Sequence, residues 1–70
     1  MDAYDHFKRG YEYLKKEDYS QANEEFWKAK AMIFEPDKVE MLREKSKDFD
    51  PEVVAFSSME LLRQALGLTE

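Results

Sequence analysis

The chain's one histidine, His6, follows Asp2 and Asp5 closely, and this is where an imidazole and carboxylates come together in the sequence. Those are the residue types of a metal site or an acid–base cluster. The spacing argues against both. All three fall within one helical turn near a chain end that frays, so they cannot converge on one point from several sides. With no cysteine and no second histidine, thiolate zinc sites and multi-histidine sites are closed within one chain. No metal and no cofactor is expected.

Ser57 and Ser58 have no histidine near them in sequence to serve as a base. Acids abound, 16 in all, but carboxylates spread along amphipathic helices are a solvated face rather than a general acid–base pair. Lys28, Lys30 and the segment from Arg43 to Lys47 have the charge to meet phosphates. Each is interleaved with acids, at Glu24, Glu25 and Glu44, and the net charge is −5. That balance works against a nucleic-acid backbone or an anionic membrane surface as partner. The expectation is a chain that is not an enzyme.

The elements that position these residues read as helices. Tyr4, Phe7, Tyr11 and Leu14 recur at steps of three and four, and Ala3, His6, Gly10 and Tyr13 run beside them, which predicts a first helix over 2–16. Glu17-Asp18-Tyr19-Ser20 reads as a tight turn, with Asp18 and Gln21 resembling a capping box. A second helix over 20–34 carries two apolar stripes: Ala22, Phe26, Ala29 and Ile33, then Trp27, Ala31 and Phe34. Two stripes imply neighbours on two sides. Pro36 ends the second helix or begins the next element, and Asp37 followed by Glu40 marks another helix start, predicting a short, partly exposed third helix over 38–47 with Val39, Met41 and Leu42. Asp50-Pro51-Glu52 joins an N-cap, a first-turn proline and an acid, and opens a fourth helix over 51–66. Its stripe is Ala55, Met59, Leu62 and Leu66, widened by Val54, Leu61, Ala65 and Leu68. Gly67 suits a left-handed C-terminal cap with Leu68 folding back. Phe56 stands apart, on the polar line of Glu60 and Arg63, where an aromatic is either covered by the third helix or part of an interface.

Seventy residues make one helical domain, spanning 1–70, and a domain of that size buries only about 60% of its unfolded surface. Without disulfides or a metal, stability must come from tight helix packing or from association. The absence of an apolar run near ~20 residues excludes a membrane span. The first residues lack the basic and apolar regions of a signal peptide, and cytoplasmic residence is the default expectation.

Residues Gly10 to Ala29 resemble one tetratricopeptide repeat. Gly10 and Tyr13 match its small residue and the aromatic three later; Ala22, Phe26 and Ala29 match the second helix; Glu17-Asp18-Tyr19 forms the turn. Small residues let two helices approach, and the aromatics fill what is left. His6 and Arg9 stand where the repeat prefers a large aromatic and a leucine, Phe34 where its proline is expected, and Pro36 two residues late. The resemblance implies a hairpin over 2–34, with the helices over 37–66 following. It also implies that Tyr4, Phe7, Tyr11 and Leu14 occupy the positions that line the peptide-binding surface of such arrays. That line is too apolar to stay bare. The fourth helix, packing across it, is the expected cover, and a second chain's helix is the rival.

A weaker resemblance, carried by Asp18-Tyr19-Ser20-Gln21-Ala22 and Phe26-Trp27-Lys28-Ala29, is to the HEPN group of helical proteins. Many of these cleave RNA through an arginine followed a few residues on by a histidine. Arg9, Arg43 and Arg63 have no histidine after them.

The functional expectation is a non-catalytic protein-interaction module or small assembly subunit that self-associates, with Tyr4, Phe7, Tyr11, Leu14 and Phe56 as binding residues. Its rival is a small acidic inhibitor of a nucleic-acid enzyme, antitoxin-like or a nucleic-acid mimic.

Overall fold

The computed structural model describes residues 1–68 and is all-α, with four helices: α1 (Ala3–Lys15), α2 (Tyr19–Ile33), α3 (Pro36–Ser46) and α4 (Pro51–Ala65). α1 and α2 pack as a hairpin, α4 lies chiefly along α2 and touches α1 at fewer points, and α3 packs on α2.

The helix ends follow from local chemistry. Asp2 caps α1 by accepting the Asp5 N–H, and Asp5 returns a bond to the Asp2 N–H. The Asp5 N–H holds the Asp2 carboxyl below its ordinary range. The first helix closes with the Asp18 N–H donating to the Tyr13 carbonyl and the Glu17 N–H to Leu14, with Glu17 at φ 61°. This is a Schellman closure with a glutamate in the seat glycine usually fills. The fourth helix ends the same way with its expected glycine: Gly67 sits at φ 70°, and the Leu68 N–H donates to the Arg63 carbonyl at 2.8 Å. Asp18 caps α2 through the Gln21 N–H, and Asp50 caps α4 through the Glu52 N–H. The third helix starts earlier than the spacing predicts. Pro36, not Asp37, begins it, because proline's fixed φ and missing N–H suit the first helical position; Asp37 falls inside the first turn and Glu35 is a cap without a side-chain bond.

The core gathers Ala3, Phe7, Leu14, Ala22, Phe26, Ala29, Ala55 and Leu62, with Tyr13, Tyr19, Met59 and Leu66 against it. In α1 the buried stripe is Ala3, Phe7, Gly10 and Leu14, so it draws on both apolar lines read from the sequence. Small residues decide this seam. A Cβ at Gly10 would come within 2.5 Å of the Phe26 ring, so α2 reaches its present depth only because position 10 has no side chain. Ile33 and Phe34, at the ends of the two α2 stripes, stay exposed, as do Leu61 and Leu68 of the widened α4 stripe.

Alanine in place of a helical glycine ordinarily stabilises by about 1 kcal/mol. Gly10→Ala is expected to do the opposite here, lowering stability by about 1–3 kcal/mol through overpacking. Denaturant melts should also show the penalty largely relieved in a Phe26→Leu background. Equal melting of Gly10→Ala and the parent would mean that the ring does not bear on this position.

Candidate functional site

His6 finds its partner far along the chain. Its Nδ1 lies 2.8 Å from Oε1 of Glu25, 19 residues on, while Asp2 and Asp5 are occupied with the α1 cap. The pair links α1 to α2, and both side chains are largely buried. Lys28 Nζ lies 3.7 Å from the other Glu25 oxygen. Burial alone would raise the Glu25 carboxyl; the His6 hydrogen bond and the Lys28 and Arg9 charges outweigh it and hold the group below its ordinary value.

Four of the five residues expected to bind a partner line one groove. Phe7, Tyr11 and Leu14 of α1 and Phe56, Met59 and Arg63 of α4 line a groove of about 470 Å³, with Lys15 and Leu68 also in its lining. Phe7 and Leu14 are its buried floor, whereas Tyr11 and Phe56 are exposed. The Phe7 and Tyr11 rings stack with centroids 6.3 Å apart. Phe56 is not covered by α3; its ring leans on Tyr19 at 6.2 Å. Tyr4 lies outside the groove, exposed, with the Lys8 ammonium 4.7 Å from its ring centre. The cover expected over all of Tyr4, Phe7, Tyr11 and Leu14 is thus partial. The fourth helix runs mainly along α2, which draws Phe7 and Leu14 into the core and leaves both tyrosines to solvent.

A second groove, of about 460 Å³, lies between α3 and α4 over α2 and was not foreseen from spacing. Leu42, Phe49, Val53 and Leu61 form its exposed walls. Its floor is Trp27 and Lys30, both 7% exposed. The Lys30 ammonium lies 4.0 Å from the Trp27 ring centre and donates to Ser58 Oγ at 2.6 Å. Burial pushes the Lys30 amine down to about 8. The signal available in the sequence was the line Val39, Leu42, Ser46 and Phe49, which shares one face of α3 and continues past its end.

No family model, curated protein or solved structure matches the chain. What the fold establishes is an all-α arrangement of four helices, with an α1–α2 hairpin and α4 on α2. Among the described residues no helix is long and apolar enough to cross a membrane.

Two pH dependences follow. For Glu25 the folded carboxyl sits below its ordinary value of 4.5. The unfolded chain therefore takes up the proton first as the pH drops. The stabilisation is complete above that ordinary value and is lost as the pH falls through the folded-state value. Glu25→Gln should flatten the acid limb of a stability–pH curve; an unchanged limb would remove the pair from the account. For Lys30 the slope has the same sign, because its folded-state value is lowered too, though here burial disfavours the charged form. Its folded amine titrates near 8 against an ordinary 10.5, so the unfolded chain binds more protons between those values, and stability rises with pH across that window. Lys30→Met is expected to abolish the rise and, by removing a buried charge with no carboxylate partner among the described residues, to stabilise the protein at neutral pH by about 1–3 kcal/mol. Thermal melts of both variants from acid to alkaline pH would read these effects.

Proposed function

We propose that this chain is a non-catalytic protein-interaction module that self-associates, with a second copy seated on the α1–α4 groove. The α1–α2 pair acts in this reading as a single tetratricopeptide-like hairpin. Support for that likeness comes from Phe26, Ala22 and Ala29, all fully buried, and from the fit of Phe26 against Gly10. A lone repeat of this type cannot bury both of its faces, and here α4 takes only part of the first.

The groove itself carries the proposal. Tyr11 and Phe56 stand exposed beside a buried apolar floor, an arrangement suited to aromatic anchors at a contact. A second copy suits it electrically. The two rim cations already have acids beside them, Lys15 with Glu12 at 3.4 Å and Arg63 with Glu60 at 3.1 Å. A balanced rim lets identical faces meet across a two-fold axis without like-charge repulsion. Self-association would also supply stability that a chain of this size otherwise draws only from its small core.

The acidic-mimic reading gains no comparable support. A mimic needs acids massed on one face. Lys8, Lys15, Lys28, Lys38, Lys47 and Arg63 each sit beside an acid three positions earlier, so along the helices the charge alternates in sign.

Sedimentation over a concentration series is the test. The wild-type chain is expected to pass from monomer to dimer, with a melting temperature that rises with concentration. Phe56→Glu changes an exposed position and should leave the helical circular dichroism intact while weakening the dimer at least about tenfold. A wild-type chain that stays monomeric at every concentration, with a fixed melting temperature, would overturn self-association.

A further inference from the structure

We propose that the α3–α4 groove is a binding site for a small aliphatic carboxylate, its chain lying between Leu42, Phe49, Val53 and Leu61 and its head group meeting the Lys30 ammonium. The site is separate from the α1–α4 groove. Val53, Ser57 and Leu61 lie on one side of the buried α4 stripe and Phe56, Met59 and Arg63 on the other.

The charge pattern selects the ligand class. The chain carries 16 acids against 11 lysines and arginines, yet among the described residues no acid lines this groove. Its charged residues are Lys30 at the floor and Lys45, contributed by α3. Lys30 is 7% exposed and belongs to none of the ion pairs among the described residues. An ammonium has three donors, and one of them goes to Ser58 Oγ. A buried cation with donors to spare and no counter-ion is costly unless an anion arrives to meet it. The lowered affinity of this amine for its proton is the expression of that cost. The remaining lining is apolar apart from three serines, Ser46, Ser57 and the Ser58 that accepts from Lys30, which suits an alkyl chain rather than a polar body. A volume of about 460 Å³ falls within the roughly 300–1,000 Å³ of small-molecule sites.

The bound carboxylate forms a charge-assisted hydrogen bond with Lys30 and restores the amine's preference for its charged form. The groups facing Lys30 are Trp27 on its own helix and Ser58 on α4, and from α3 the only titratable residue lining the groove is Lys45. Carboxylate binding therefore weakens as the pH rises and Lys30 loses its proton.

Trp27 is the chain's single tryptophan and lies on the groove floor, so its fluorescence reports occupancy directly. The experiment titrates the full chain with decanoate and, separately, with decyltrimethylammonium, reading Trp27 fluorescence and heat. Saturable binding of decanoate, about tenfold or more tighter than that of the cation of equal chain length, is expected from one hydrogen bond to a charged group. Lys30→Met, with its fold checked by circular dichroism, should lose that preference while keeping weak, charge-indifferent binding of both probes. Ser57→Ala, a change at the wall and away from the ammonium, should keep it. Equal affinity for the two probes in the wild-type chain would overturn the proposal, as would decanoate binding that leaves Trp27 fluorescence unchanged. Because Phe56→Glu acts on the other side of α4, decanoate binding should persist in that variant, which keeps this outcome distinct from the fate of the self-association reading.

Discussion

Phe26 lies across α1 only because Gly10 has no Cβ, and the depth to which α2 seats itself is set by that one contact. With the ring fully buried there, Phe7 meets it at 6.0 Å between centroids, and Ala22 and Ala29 are sealed completely. A bulkier residue at position 10 would lift α2 from α1 and open the cluster that Ala55 and Leu62 join from α4. Small residues at close contacts do the work that a larger protein does with a thicker core. That economy suits a chain of 70 residues with no disulfide to restrain it.

Among the described residues the polar ties between helices all run through α2. His6 of α1 meets Glu25, Arg43 of α3 meets Glu24 at 2.6 Å, and Lys30 meets Ser58 of α4. Asn23 donates to the Pro51 carbonyl at 3.0 Å, fixing the start of α4 against the second helix. The second helix is thus the element on which the other three are registered. The exposed ties add little energy, since a surface ion pair contributes ~0–1 kcal/mol. The buried ones differ: Glu25 has His6 and Lys28 beside it, whereas Lys30 has only the Ser58 hydroxyl and the Trp27 ring and stays a costly charge.

Much of this was legible in the residues. Helix existence, the turns at Asp18 and Asp50 and the Gly67 closure were readable because caps are local, with donor and acceptor a few residues apart. Gly10, Ala22 and Phe26 were readable as packing residues because a small-residue seam leaves a helical period. The misses share a cause. His6 sits near Asp2 and Asp5 in sequence, yet its partner is Glu25, and no local pattern reports a pairing across a hairpin. Tyr4 and Tyr11 were drawn onto the buried line by hydropathy. The real seam turns slightly, through Ala3 and Gly10, and the tyrosines serve as platforms for Lys8 and Lys15. The Lys30 floor was illegible for a related reason. A lysine in a charged stretch reads as solvated until a neighbouring helix is placed over it.

The unequal helices explain why apolar surface remains at all. The third helix is short, and among its apolar residues only Val39 is buried; Met41 and Leu42 face outward. α4 is a full 15 residues, and its buried stripe of Ala55, Ser58 and Leu62 is narrow. One helix cannot turn three sides to one core. With α3 too short and too polar to wrap it, α4 keeps Val53 and Leu61 exposed on one flank and Phe56 on the other. Closing either flank from within would take a further helix. One flank of this element is rimmed by paired charges, and the other holds Lys30 and Lys45, which belong to no ion pair among the described residues. In the readings proposed above, the balanced rim takes a copy of the same chain and the cationic floor an anion.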